Sequence, residues 1–280
     1  VMRLVHLSDL HLGFRQFQRS TPGGINQREA DIAKSFTNAI DKIIALRPDI
    51  VLIAGDVFHT VRPTNPAILH AFTQFSRLMR ELPEAIVVIA AGNHDLPRSS
   101  ETTCILRLFA PLGIHVADGE MRRLQFAERQ LTIVAMPDLL AQEAAIEPDP
   151  AAKYNVLVAH GEVEGTGPAP HMGTVDDAPF HIPKAVVESP GWNYVALGHY
   201  HVYQRVGPNA YYSGATDYAS SNVWGELADQ RSQKLPGKGL IERDLETGKQ
   251  TFHPLPVVRE FMDLPAIEGR GLSAADLDAA

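Results

Sequence analysis

Five short apolar runs rich in β-branched residues constrain this chain more than any other feature: Leu4 to Leu7, Ile50 to Ala54, Ile86 to Ala90, Val156 to Ala159 and Tyr194 to Leu197. Continuous runs of this length, bounded by turn residues, read as strands buried on both faces, so the sheet they form must be covered above and below. Helical spacing fills the gaps between the first three. Ile32, Phe36, Ile40, Ile43 and Ile44 repeat over roughly Asn26 to Leu46, and Leu69, Phe72, Phe75, Leu78 and Met79 over Asn65 to Leu82. Pro48 and Pro83 stand just past the two helix ends, where a chain breaker belongs. The β–α–β–α–β order predicts a layered α/β fold. Met121 to Met136 reads as a hairpin turning at Ala127-Glu128-Arg129, and Val202 to Pro256 as strand-rich, so a second sheet is expected. Gly161 to Gly173 reads as one long loop.

The strand ends carry the chemistry. The runs lead in turn into Ser8-Asp9-Leu10-His11, Gly55-Asp56-Val57-Phe58-His59, Gly92-Asn93-His94-Asp95, His160-Gly161 and Gly198-His199-Tyr200-His201. In open α/β sheets ligands bind beyond the strand C-termini, so the five clusters are placed to converge. Carboxylates and imidazoles together suit divalent Mn, Zn and Fe. Asp9 and His11 are two apart, as are His199 and His201, so an extended segment turns each pair to one side. Asp56 has two oxygens with which to bridge two ions, Asn93 offers a carbonyl oxygen and His160 a further imidazole. Asp9, His11, Asp56, Asn93, His160, His199 and His201 are more ligands than one ion takes and enough for two. Two ions about 3.5–4 Å apart clamp the attacking and leaving oxygens of a phosphoryl group and lower the pKa of water towards neutrality. Gly55, Gly92 and Gly198 each precede a candidate ligand, where the backbone is expected to turn sharply.

Composition removes other classes. The formal charge of −8 advertises no affinity for polyanions, so any such substrate must meet a local patch or bound cations. The longest apolar run, Ala85 to Ala91, falls far short of the roughly 20 residues a membrane helix needs. One cysteine, Cys104, excludes an internal disulfide framework, and with no basic-then-apolar leader the expected location is cytoplasmic. G-x-S-x-G and H-E-x-x-H motifs are missing, which excludes the common serine-hydrolase and zincin readings, and Gly237-Lys238-Gly239 lacks the spacing of a phosphate loop. Val1 precedes Met2, the expected natural start. Leu272 to Asp276 reads as a helix beginning shortly before Ala280, so a longer natural chain is expected.

The ordered series D-x-H, G-D, G-N-H-D, H and G-H-x-H resembles that of the calcineurin-like metallophosphoesterases, from about Met2 to His201. Within them the chain is most similar to the double-strand-break repair nucleases, the SbcD type and its archaeal and eukaryotic counterparts. The carriers are HLSDLHLGFRQF at His6 to Phe17, AGDVFHTVRP at Ala54 to Pro63 and YYSGATDYASSNVWGE at Tyr211 to Glu226. GLIERDLETG from Gly239 and HPLPVVREF from His253 resemble the exit from their phosphoesterase domain towards a DNA-capping domain.

The resemblance implies a layered α/β sandwich of two mixed sheets flanked by helices, with a metallophosphoesterase domain over 2–256 and the start of a capping domain over 257–280. It implies two ions, usually manganese, with Mg²⁺, Zn²⁺ or Fe²⁺ as alternatives. One ion falls to Asp9, His11, Asp56 and His201, the other to Asp56, Asn93, His160 and His199. His94 is then the general acid, oriented by Asp95, and His59 a further residue of the site. DNA is the implied substrate, a coiled-coil ATPase of the structural-maintenance type the implied partner, and a homodimer built partly on the apolar stripe of Asn65 to Leu82 is expected. Arg15, Arg62 and Arg98 follow ligand motifs and are candidates for a positive rim that meets phosphates, as is Arg19. The rival readings are the same chemistry on a cyclic nucleotide, nucleotide or phosphoprotein, and a DNA-end-binding scaffold with a vestigial site.

Overall fold

The computed structural model describes residues 2–97, 103–138, 145–166, 180–262 and 273. Strand β1 (Arg3–Leu7), helix α1 (Gln27–Leu46), β2 (Ile50–Ala54), α2 (Asn65–Glu81) and β3 (Ile86–Ala90) follow the predicted order closely. Asn26 caps α1 by accepting from the amides of Arg28 and Glu29, and Thr64 caps α2 ahead of Pro66. A 3₁₀ segment (Ile105–Leu112) leads to β4 (His115–Ala117). The hairpin is present as β5 (Arg122–Phe126) and β6 (Leu131–Met136), turning through Ala127–Arg129. Then come β7 (Tyr154–His160), β8 (Glu162–Val163), β9 (His181–Ile182), α3 (Lys184–Glu188), β10 (Tyr194–Gly198), β11 (Gln204–Arg205), β12 (Ala210–Tyr212), α4 (Val223–Ser232), β13 (Gly239–Asp244) and β14 (Gln250–Pro254).

Two mixed six-stranded sheets result, ordered β14-β13-β1-β2-β3-β4 and β11-β12-β10-β7-β6-β5. They pack face to face, as expected for an α/β sandwich. Leu4, Ile50, Leu52, Val88, Ile133, Val156, Val158 and Ala196 form the layer between them. The alternate residues Val5, Leu7, Val51, Ile53, Val87 and Ile89 turn outward to Ile32, Phe36 and Ile40 of α1 and Phe75 and Leu78 of α2. Leu157, Val195 and Leu197 of the second sheet face Trp192, Val187 and Ile182. This double-sided burial is why the strands read as unbroken apolar runs.

The structure refines three of the readings. Val202 to Pro256 is strand-rich, with β11 to β14, but α4 also crosses it; that helix buries Glu226, Asp229 and Gln230 beside Val223 and Leu227, so its hydropathy carries no helical stripe. Leu69 and Phe72 of the α2 stripe stay outside, 68% and 38% exposed, because Phe75 and Leu78 already fill the contact with the sheet. The loop expected from Gly161 begins instead with β8, paired to β9; residues 167–179 lie outside the described residues.

His6 of β1 carries a polar side chain into the layer between the sheets, fully buried, with Nδ1 3.0 Å from the Tyr194 hydroxyl and Nε2 3.1 Å from the Leu197 carbonyl oxygen. The carbonyl only accepts, so Nε2 carries the proton and Nδ1 accepts from the tyrosine. Burial holds this imidazole neutral, its pKa lowered to about 3.

Candidate metal centre

The exits of β1, β2, β3, β7 and β10 meet at one end of the sandwich and bring the predicted residues together. The exit of β1 runs alongside that of β2, with the amides of Asp9, His11 and Leu12 donating to the carbonyls of Gly55, Asp56 and Val57 at 2.9–3.0 Å. To make these bonds the backbone coils. Asp9 (φ 52°), His11 (φ 46°) and Asp56 (φ 51°) take the left-handed conformation, and His199 has φ 115°. The expectation of extended exits that alternate their side chains is therefore wrong; left-handed coiling, costly for non-glycine residues, aims the ligands. The glycines also differ in role. Gly55 turns with φ +84°, but a Cβ on Gly198 would overlap the Ala54 carbonyl, so Gly198 is there for close approach between the sheets.

Asp56 is the hinge of the arrangement. Its Oδ1 accepts from the His94 amide at 3.0 Å, while Oδ2 lies 3.7 Å from His11 Nε2 and 3.5 Å from His160 Nε2. On one side, Asp9, His11 and His201 offer ligand atoms within 4.8 Å of one another, with His11 Nε2 2.9 Å from His201 Nε2. On the other, Asp9, Asp56 and His160 do the same, and His160 Nε2 is 3.1 Å from Asn93 Oδ1. The His160 ring stands 5.5 Å from that of His199. His160 Nδ1 donates to the Ala54 carbonyl at 2.8 Å, which leaves a lone pair on Nε2 facing the Asn93 oxygen. Nitrogen and oxygen atoms that converge this closely from several strand ends form a set of donors suited to a cation.

The electrostatics agree. Burial, then the charge of Asp56, pushes the Asp9 carboxyl well above the usual carboxylate range. Burial, then the neighbouring imidazoles, holds His11 well below the ordinary histidine value. Burial lowers His160 to about 3, and burial, then Lys238, holds His201 down. These three imidazoles stay neutral, the form that binds metal, and the crowded carboxylates call for positive charge. The donor set fits borderline divalent metal ions.

His94 and His59 flank the cluster. Their rings stack at 5.2 Å, and His94 Nδ1 donates to the His59 carbonyl at 2.8 Å; with His11 they form a third group of ligand atoms within 4.8 Å. Asp95, expected to orient His94, is engaged instead by the main chain. Its buried carboxylate accepts from the amides of Val57, Phe58 and Gly92 at 3.0–3.2 Å, so it ties the β2 and β3 exits together. Arg15 is exposed and paired with Glu29 at 2.7 Å, Arg62 and Arg19 are exposed, and Arg98 lies outside the described residues.

Sequence reasoning missed two supports behind the ligands. Ser8 binds the Asp9 carboxylate and reaches the Ser213 hydroxyl at 2.9 Å. Lys238, buried just before β13, donates to the His201 carbonyl at 2.8 Å. The signal for the latter was a lone lysine held between two glycines.

Residues 2–203 match the profile described as calcineurin-like phosphoesterase. The chain is 28% identical over 265 residues to the DNA double-strand break repair protein Mre11 of Methanococcus maripaludis, covering 87% of this chain and 63% of that protein. With the protein of the same name from Methanopyrus kandleri it shares 26% identity over 271 residues, 87% of this chain and 54% of the relative. The chain thus spans less than two thirds of these relatives' length. Purple acid phosphatase PPD1 from yellow lupin (Lupinus luteus) superposes with a TM-score of 0.45 at 14% identity, covering 72% of this chain and 38% of that one.

Proposed function

This chain belongs to the calcineurin-like phosphoesterase family, and from that premise we propose that it is a two-metal DNA phosphodiesterase of end processing and double-strand-break repair. The observation that carries the two-metal reading is Asp56 Oδ2, set between His11 and His160 at 3.7 and 3.5 Å. Asp9, His11, Asp56 and His201 would hold one ion, and Asp56, Asn93, His160 and His199 the other, with manganese the proposed metal. When bound, such a pair neutralises charge on the phosphoryl oxygens and supplies a water-derived nucleophile near neutral pH. The names of the archaeal relatives support DNA as the substrate.

The chain's own residues supply the rest. His94 is the proposed general acid. Its Nδ1–H donates to the His59 carbonyl and fixes the ring, and the doubly protonated imidazole would give its Nε2 proton to the leaving sugar oxygen. His59 stacks on that ring and keeps its orientation. Asp95 serves by fixing the loops that carry Asp56, Asn93 and His94. Arg62 and Arg15 are proposed to meet phosphates at the rim. The division into a phosphoesterase domain over 2–256 and a further domain from 257, the coiled-coil ATPase partner and a cytoplasmic location belong to the same reading. A homodimer through α2 is supported by the exposed Leu69 and Phe72 and by exposed Leu108 on the 3₁₀ segment that packs against α2; among the described residues no helix is long and apolar enough to cross a membrane.

The test is cleavage of end-labelled single- and double-stranded DNA with Mn²⁺, beside His94→Ser. The expected result is metal-dependent cleavage that falls about 10²–10⁴-fold in the variant while both ions stay bound. Turnover of a cyclic nucleotide with none of DNA hands the site to a small substrate. Tight, salt-dependent DNA binding without cleavage in any metal makes the chain a scaffold.

A further inference from the structure

Lys238 and Glu226 form an ion pair in which both side chains are wholly buried. Taking two such charges out of water costs several kcal/mol per ion, and a well-packed apolar pair is often as stable or more so. The compensation here is incomplete: Glu226 Oε2 has no hydrogen-bond partner among the described residues. The ammonium lies 4.7 Å from the centre of the Tyr218 ring and spends its remaining donor capacity on one group, the carbonyl oxygen of His201.

That oxygen belongs to a ligand oriented unlike its neighbour. His160 is fixed through its second ring nitrogen, which donates to Ala54. The second ring nitrogen of His201, Nδ1, is buried and has no hydrogen-bond partner among the described residues. A metal-binding histidine is ordinarily steered by a bond at that nitrogen. For His201 the steering comes through the main chain, because its carbonyl accepts from both Lys238 Nζ at 2.8 Å and the Ala215 amide at 3.0 Å. The two donors fix the peptide plane and so the direction of the Cα–Cβ bond.

The strap also crosses between the sheets. Lys238 leads into β13, which pairs with β1, the strand that delivers Asp9 and His11; His201 follows β10 of the other sheet. One ion site of the proposed pair therefore has ligands from both sheets, and Lys238 sets their spacing at that corner. Resting on the two-metal reading above, we propose that Lys238, held by Glu226, is a positioning residue that aims His201 and is required for tight occupancy of the Asp9–His11–His201 site alone.

The experiment uses the whole chain and Mn²⁺ as the probe, with binding followed by calorimetry and by electron paramagnetic resonance. Lys238→Met strands Glu226 as a buried charge and is liable to unfold, so the decisive variant is the double replacement Lys238→Met with Glu226→Leu, which fills the space without charge. The expected wild type binds two ions with the spectrum of a spin-coupled pair. The expected double variant, folded by circular dichroism, binds one ion as before and the second about 10–100-fold more weakly, and shows the six-line signal of an isolated Mn²⁺. A folded double variant that binds both ions with wild-type affinity overturns the proposal. A wild type that binds fewer than two ions overturns the two-metal reading itself, so the two failures are distinguishable.

Discussion

The buried His6 makes stability depend on pH in a window of known sign. In the unfolded chain its imidazole titrates at the ordinary value of 6.5; in the fold burial lowers the pKa to about 3. The folded state therefore binds the proton less well. The contribution is fully present above the unfolded pKa, is lost as pH falls through 6.5, and levels off only near 3. Each pH unit inside that window costs about 1.4 kcal/mol, so acidification from about pH 7 to about pH 5 removes about 2 kcal/mol through this residue. His6→Gln keeps a donor for the Leu197 carbonyl but cannot titrate. Urea unfolding of metal-free wild type and variant at both pH values isolates the effect, because groups common to both cancel. The variant starts less stable, since the Tyr194 hydroxyl loses its acceptor, but should lose about 2 kcal/mol less on acidification. Equal losses in the two proteins would refute the assignment of a neutral, buried His6.

Two further outcomes follow from the site and its surroundings. Asp56→Ala removes the oxygen between the two ligand clusters and should leave the folded protein with at most one weakly held ion by elemental analysis; two retained ions would contradict the bridge. Cys104 is buried, and desolvation with the Asp95 charge pushes its thiol up to about 12. At about pH 8 it should resist iodoacetamide until denaturant is added, and rapid alkylation of native protein would show the segment to be open.

The fold was legible where burial is two-sided. Val51 and Leu52, or Val87 and Val88, face different layers yet both need apolar side chains, so the strands show as runs and their exits mark the site. What sequence could not show was the backbone mode at those exits. Asp9 and His11 coil left-handed because their amides reach carbonyls of a strand end more than forty positions away, a tertiary bond with no local signature. The same holds for α4 and Lys238. Glu226 reads as a surface residue of an exposed segment until its partner is known, so hydropathy hid both the helix and the strap behind His201. Asp95 was given a side-chain partner from its place next to His94 in the chain, when its oxygens serve three main-chain amides.

The pairing of β1 with β13, where Arg3 meets Asp244, has a consequence for how the protein is made. Translation delivers β1 to β3 early, and they can associate at once; β13, which starts at Gly239, emerges long after β3 ends at Ala90. Throughout that interval β1 is an edge, its outer donors and acceptors open to any strand that passes, a recognised route to aggregation. Emergence of Gly239–Pro254 closes that edge and moves it to β14, a strand that ends in Pro254 and pairs on one side only. The last stretch of this sheet to leave the ribosome thus converts an adhesive intermediate into a finished one. Pausing before it prolongs the exposure, and pausing after it does not.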